Sequence, residues 1–224
     1  MSGLVPDSVR KRLLVVDDHA VVRLGLRQLL GREPDLIVCG EVGTVREAVE
    51  AIRRLKPDMV IADISLVNGS GLDLVKEIRR SNSRLPVLVL SMHDETLFAE
   101  RALKAGANGY IMKMEAPQEL VIAVRTVLAG QVFVSRKMVS RLLNRFHGGS
   151  PEAGDPVETL TDRELQLFTM IGSGLTTKEI AGHLCVSPKT VDSHRSSIKR
   201  KLQVGTTVEL TCMAARWVER KDLD

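Results

Sequence analysis

The first half of the chain alternates short apolar runs with amphipathic stretches. Five runs, Arg12–Val16, Leu36–Gly40, Met59–Ala62, Pro86–Leu90 and Tyr110–Met112, are almost continuously apolar. Without period-2 alternation, such runs read as strands covered on both faces. The intervening stretches carry apolar residues at helical spacing, as in Val22, Leu26, Leu29 and Leu30, and again in Leu72, Val75 and Ile78. Repeated strand–helix alternation predicts five βα units over residues 11–129 and an α/β fold with a five-stranded parallel, doubly wound sheet.

From Gly130 the pattern changes. Arg136–Phe146 predicts a short helix, and the Gly/Pro-rich run from His147 to Pro156 can neither pack nor continue it. Beyond that run the sequence reads as helices only. Thr161–Glu164 and Thr176–Glu179 each match a capping box, and Ser187-Pro188 offers an N-cap hydroxyl followed by a proline at the first helical position. A last helix is expected over Thr207–Val218. The expected organisation is a first domain over 10–130, a linker with a short helix over 131–154, and a small all-α domain over 155–222.

Composition narrows the classes. The 224 residues are 44% apolar and 27% charged, which excludes a disordered chain and a disulfide miniprotein. No run reaches the ~18 apolar residues of a membrane span, and Met1–Arg12 has no apolar core of a secretory signal. Cys39, Cys185 and Cys212 are far apart and form no CxxC pair, so they read as buried thiols of a cytoplasmic protein, with no zinc site or disulfide framework. The net charge of +4 is spread along the chain, which argues against general coating of nucleic acid.

Ligands bind outside the carboxyl ends of strands in such sheets. Asp17 and Asp18 follow the first strand, Asp63 ends the third, Ser91 the fourth and Lys113 the fifth. An aspartate after a strand is usually a turn residue, and Asp58, at the opposite edge, and Asp73, on a helix, are bland in that way. Three carboxylates at one edge repel one another unless a cation neutralises them, and Mg²⁺ is the natural hard, oxygen-seeking ion, with Mn²⁺ its substitute. Lys113 adds a fixed positive charge and Ser91 a hydroxyl donor, which together suit phosphoryl transfer onto a carboxylate. Asp63, between the acidic pair and the lysine, is the best acceptor.

Leu14-Val-Val-Asp-Asp-His19, Asp63-Ile-Ser-Leu66, Leu90-Ser-Met92 and Gly106-Ala-Asn-Gly-Tyr-Ile-Met-Lys113 resemble the receiver domain of bacterial two-component response regulators. The resemblance implies a flavodoxin-like fold and a sensor histidine kinase as phosphoryl donor. Asp63 resembles the phosphoacceptor, Asp17 and Asp18 the Mg²⁺-binding pair, and the backbone carbonyl of Ser65 the third protein ligand. Ser91 and Lys113 resemble the groups that contact the phosphoryl oxygens. Tyr110 resembles the aromatic switch, an ordinary core aromatic being the less favoured reading. Two departures stand out: Leu66-Val-Asn-Gly-Ser-Gly71 lacks the proline common in that loop, and Met114 stands where many receivers have proline after the lysine.

Between Ser187 and Leu202, the apolar residues Val191, Ile198 and Leu202 share one helical face and Asp192, Ser196, Lys199 and Arg200 another. Lys189–Lys201 holds five basic residues and one acid. A solvated amphipathic helix would look similar, but a capped helix over Thr177–Leu184 and a short turn precede it at helix-turn-helix spacing. Leu160-Thr-Asp-Arg-Glu164, Gly174–Ala181 and Thr190-Val-Asp-Ser-His194 resemble the LuxR-type four-helix DNA-binding domain. That resemblance implies that Asp192, Ser193 and Ser196 face base edges, with Thr190 beside them, and that Lys189, Arg195, Lys199 and Arg200 lie nearer phosphates. Asp192 could accept from a cytosine amine or weaken nonspecific binding.

A receiver joined to this module resembles the NarL/FixJ class. The implied function is a transcriptional regulator, not a turnover enzyme, that binds double-stranded promoter DNA as a phosphorylation-dependent homodimer, with RNA polymerase a further partner and no role at a membrane. Two other readings compete. A Mg²⁺-dependent phosphohydrolase using Asp63 as nucleophile would want an acid at the Ser65 position. A phosphorylation-independent DNA binder would leave the acidic set without use.

Overall fold

The computed structural model describes residues 10–66, 69–81, 84–92, 95–146 and 156–223. The chain divides into two compact units, 1–142 and 143–224. The Gly/Pro-rich segment lies outside the described residues up to Asp155, as do the N-terminal nine residues and the Val67-Asn68 part of the loop after Asp63.

The first unit is built on β1 (Lys11–Val16), β2 (Leu36–Val42), β3 (Met59–Asp63), β6 (Val87–Ser91) and β7 (Gly109–Met112). A short antiparallel pair, β4 (Ser65–Leu66) and β5 (Gly69–Ser70), lies between β3 and the next helix. The five long strands form one sheet in the order β2-β1-β3-β6-β7, every pair parallel. The three inner strands are the most apolar, and Leu13–Val16, Met59–Ala62 and Val87–Val89 are all at most 1% exposed. Helices α1 (Ala20–Leu30), α2 (Val45–Leu55), α3 (Gly71–Ser81), α4 (Glu95–Ala105) and α5 (Pro117–Leu128) cover the two faces. One core joins Leu26 and Leu30 of α1 and Leu120, Val124 and Val127 of α5 to Leu13, Met59, Leu88 and Ile111 of the sheet. The order puts β1 and β3 side by side at the centre, so the residues that follow them meet at one edge.

Residues 131–135, expected in the linker, continue the sheet edge. Phe133 bridges Gly109, Tyr110 N–H donates to Phe133 O at 2.9 Å, and Ser135 Oγ bonds Glu95 at the start of α4. Helix α6 (Arg136–Phe146) follows as expected, with Met138 buried.

The second unit has a 3₁₀ turn (Pro156–Thr159), α7 (Asp162–Gly172), α8 (Thr177–His183), α9 (Pro188–Leu202) and α10 (Thr207–Leu223). Both capping boxes form: Thr161 and Thr176 accept from the amides of Glu164 and Glu179, whose carboxylates reach back. Ser187 caps α9 by accepting from Thr190 N–H at 3.1 Å. Phe168 meets Trp217 edge-to-face, ring centroids 5.6 Å apart. At the α7–α10 contact, a Cβ on Gly172 would lie 2.6 Å from Ala214 O, so only glycine allows this approach. The last helix runs to Leu223 and not Val218, since nothing in Glu219–Leu223 breaks it.

The buried-thiol expectation is corrected. Cys39 is only half-buried because β2 is the sheet's edge. Cys185 sits exposed in the α8–α9 turn at φ 50°, and Cys212 lies on the exposed face of α10.

Candidate functional site

The carboxyl edge of the sheet brings four expected residues into contact. Asp17 leaves β1 with its amide bonded to Val42 O at 3.0 Å, and Asp63 is the last residue of β3. Lys113 follows β7 and is tied to β6 by its amide, which donates to Ser91 O at 2.7 Å. Its ammonium lies 2.6 Å from Asp17 Oδ2 and 2.8 Å from Asp63 Oδ2. Donor atoms of Asp17, Asp18, His19 and Asp63 lie within 4.8 Å of one another. Gly71 permits this edge, because a Cβ there would fall 1.9 Å from Asp63 O.

The electrostatics follow from burial. Asp17 and Asp63 are 1% and 3% exposed. Burial pushes the Asp63 carboxyl up to about 6; Lys113 opposes the rise, Asp17 adds to it, and the Ser65 amide lowers it by donating to the carboxylate. Burial also works against the Lys113 charge, but Asp63 and Asp17 outweigh it and hold the ammonium above its ordinary value. One cation is thus shared between two carboxylates with a third alongside. Asp18 Oδ1 is shielded from solvent, with His19 Nδ1 2.7 Å away. Three carboxylates at one edge against a single shared ammonium fit a hard divalent cation.

Ser91 is fully buried at the end of β6, whose Leu90 pairs with Asp63. Tyr110 is 1% exposed within β7. Two contacts in this region went unforeseen. Arg23 Nη1 donates to Asp17 O at 2.6 Å, fixing the acidic turn to α1, and His19 stands beside the carboxylates. His19 was visible inside the Leu14–His19 motif, whereas nothing about Arg23's position signalled its role.

In the second unit, α9 buries Val191, Ile198 and Leu202 as expected. Lys189, Asp192, Ser193, Ser196 and Arg200 are exposed, and Thr190, Arg195 and Lys199 half-buried. Ser193 and Ser196 donate to the carbonyls of Lys189 and Asp192, both at 3.0 Å. Arg195 is partly committed elsewhere, its Nη1 donating to Thr177 Oγ1 at 2.8 Å. Lys201 is not part of the exposed face: its ammonium lies 2.6 Å from the buried Glu164 carboxylate, which Ser197 also donates to. Burial alone would raise Glu164, but Lys201, Ser197 and the Thr161 cap bring it down to about 2. Its position beside Ile198 and Leu202 was the available signal that Lys201 faces inward.

Comparison with known proteins agrees with both halves. The response regulator receiver domain family matches residues 13–125, and the luxR family of bacterial regulatory proteins matches residues 158–214. The chain is 36% identical to the transcriptional activator protein ExaE of Pseudomonas putida, over 90% of this chain and 94% of that one. It is 38% identical to the transcriptional regulatory protein UhpA of Salmonella typhimurium, over 88% and 93%. Among solved structures, RcsB of Salmonella enterica serovar Typhimurium bound to promoter rprA with phosphomimetic BeF₃⁻ matches 92% of this chain and 98% of its own, with 26% identity and a TM-score of 0.59. No helix among the described residues is long and apolar enough to cross a membrane. The chain belongs to the two-component response regulators that join a receiver domain to a LuxR-type DNA-binding domain.

Proposed function

We propose that Asp63 accepts a phosphoryl group from a sensor histidine kinase and that this modification controls promoter binding by the C-terminal domain. The observation that carries the reading is the shared lysine: Lys113 bridges Asp17 and Asp63 at 2.6 and 2.8 Å, at the edge where Asp18 also converges. In the transfer, an Asp63 carboxylate oxygen bonds to phosphorus as the phosphorus–nitrogen bond to the donor histidine breaks. Mg²⁺ or Mn²⁺, held by Asp17, Asp18, Asp63 and the backbone carbonyl of Ser65, supplies charge neutralisation when bound. Lys113 neutralises a phosphoryl oxygen from the other side, and Ser91 donates its hydroxyl to another. Tyr110, already inside the core, follows Ser91 as the switch.

The receiver occupies 10–130 with 131–135 added along its sheet edge, the connecting segment runs on to 154, and the DNA-binding domain occupies 155–222. Asp192, Ser193, Ser196 and Thr190 read base edges, while Lys189, Lys199, Arg200 and Arg195 contact phosphates. The active form is a homodimer on DNA that works with RNA polymerase in the cytoplasm, and the chain turns over no substrate of its own. A serine, not an acid, at position 65 weighs against a phosphohydrolase.

The test is incubation with acetyl phosphate and Mg²⁺ followed by intact-mass measurement. The expected gain is one phosphoryl group, lost in Asp63→Asn. A label retained in Asp63→Asn would refute the assignment.

A further inference from the structure

The chain is gripped at two points as it runs from α5 to α6. Phe133 lies alongside β7: its amide donates to Asn108 O at 3.1 Å, and its carbonyl accepts from Tyr110 N–H at 2.9 Å. Gly109 makes room for that pairing, since a Cβ there would fall 2.9 Å from Phe133 O. Two residues on, Ser135 directly precedes α6, and its one hydroxyl serves two helices. Ser135 Oγ accepts from Met138 N–H at 3.1 Å, which caps α6, and donates to Glu95 Oε1. Glu95 is the first residue of α4 and is half-buried. Its carboxylate thus stands at the start of both helices, where the backbone dipoles favour a negative charge. Among the described residues no cation pairs with it, so the Ser135 hydroxyl is the partner that holds it.

We infer that the Glu95–Ser135 bond is a latch on α6: it ties the start of α6 to α4 while Asp63 is unmodified, and it opens when Asp63 carries a phosphoryl group. The latch rests on the phosphorylation of Asp63 proposed above. Three residues separate Ser91 from Glu95. As Ser91 turns its hydroxyl to a phosphoryl oxygen on Asp63, that short span follows it and draws the first turn of α4 away from Ser135. The two grips respond differently. Phe133 is held by two backbone bonds to β7, a strand locked to β6 in the sheet, so it stays where it is. Ser135 is held by one side-chain bond to a helix end, and both partners are partly exposed, so water can replace the bond. α6 then remains attached at Phe133 but loses its fixed start, which loosens the last helix that precedes the DNA-binding unit in chain order. Linkage makes the latch work in reverse as well: breaking Glu95–Ser135 favours the phosphorylated form by the same factor.

The experiment is hydrogen–deuterium exchange of the full-length chain, with intact mass recorded on the same samples. In the wild type, acetyl phosphate with Mg²⁺ is expected to add one phosphoryl group and to speed exchange of the first α6 turn about tenfold. Glu95→Ala leaves the Ser135 cap in place; its α6 exchange is expected to be fast already and not to change further on phosphorylation. Calorimetry is expected to show the phosphoryl mimic BeF₃⁻, with Mg²⁺, binding Glu95→Ala about tenfold tighter than wild type. Ser135→Thr keeps the hydroxyl and is expected to behave as wild type. A purely structural contact would speed α6 exchange in Glu95→Ala by the same factor in both states and leave BeF₃⁻ affinity unchanged, and that result overturns the latch. A phosphoryl group gained by the wild type with no change in α6 exchange overturns it too, while the phosphorylation of Asp63 stands. If the wild type gains no phosphoryl group, both fail.

Discussion

Each half of the molecule buries a carboxylate against a lysine, with opposite results. Asp63 is 3% exposed with an ammonium at 2.8 Å, and its carboxyl is pushed up to about 6. Glu164 is 4% exposed with an ammonium at 2.6 Å, and its carboxyl is brought down to about 2. Burial opposes ionisation in both, so the difference lies in the partners. Lys113 divides its charge between Asp63 and Asp17, whereas Lys201 is ion-paired with Glu164, whose carboxylate Ser197 and the α7 cap also stabilise. A buried Asp–Lys or Glu–Lys pair is therefore not in itself a mark of function. An excess of carboxylates over cations is, because it leaves a site that gains by taking up a cation or a modification.

The largest expected effect comes from the satisfied pair. Glu164→Ala strands Lys201, removes the Ser197 bond and opens the α7 capping box, for a loss on the order of 4 kcal/mol in the C-terminal unit. The single tryptophan, Trp217, packs on Phe168 in that unit and the single tyrosine, Tyr110, lies in the receiver. Denaturant unfolding followed by tryptophan fluorescence is expected to shift strongly, while tyrosine emission keeps its midpoint. Equal movement of both probes would contradict a local role.

The unsatisfied cluster is expected to respond in the other direction. Asp63→Asn removes a charge that the fold accommodates poorly, and is expected to stabilise the metal-free receiver by about 2 kcal/mol. Loss of stability in that variant would show that the Lys113–Asp63 bond outweighs the repulsion.

Acid titration separates the two regions within one chain. A carboxyl near 6 in the folded state, against 3.8 unfolded, keeps its proton more tightly when folded. The metal-free receiver therefore gains stability as pH falls from about 6 to about 4, by up to about 3 kcal/mol. Glu164 has its folded value depressed, so its contribution is complete above the ordinary 4.5 and is lost as pH falls toward 2. The tyrosine and tryptophan unfolding midpoints are expected to diverge on acidification, and added Mg²⁺ to flatten the receiver's response. Parallel midpoints would remove the distinction.

Much of this contrast was legible in the sequence, and the rest was not for physical reasons. Apolar runs gave the inner strands, because strands covered on both faces admit few polar residues. Hydroxyls three residues ahead of glutamates marked α7 and α8, because capping is local. The convergence of Asp17, Asp63 and Lys113 followed from the strand order of a doubly wound sheet. Contacts between distant elements left little local trace. Lys201 looked like one more cation of a basic helix until the fold turned it toward Glu164, and Arg195 likewise until it met Thr177. The exposure of Cys185 and Cys212 depended on a turn and a helix face that composition does not report.

The smallest effect follows from the same sorting of charges. Of the five basic residues between Lys189 and Lys201, Lys201 is taken by Glu164 and Arg195 is bonded to Thr177. On the proposed function, that leaves Lys189, Lys199 and Arg200 as the main phosphate contacts on α9. One domain neutralising three phosphates should bind with log K falling by about 3 per decade of salt, and two domains on one DNA by about 5. Unphosphorylated and phosphorylated full-length chains, titrated on one operator with half-sites about one helical turn apart, should give these two slopes. Phosphorylation would then add a second domain at high local concentration and leave each helix's contacts as they are. Arg200→Gln should reduce the slope by about 1 per domain and weaken all sequences alike, whereas Lys201→Gln should leave it unchanged despite removing the same charge. Asp192→Ala and Ser196→Ala should alter which sequences are preferred at nearly constant slope. A slope that drops equally for Arg200→Gln and Lys201→Gln would mean that Lys201 leaves Glu164 to reach DNA, and that the satisfied pair is as much a part of function as the unsatisfied one.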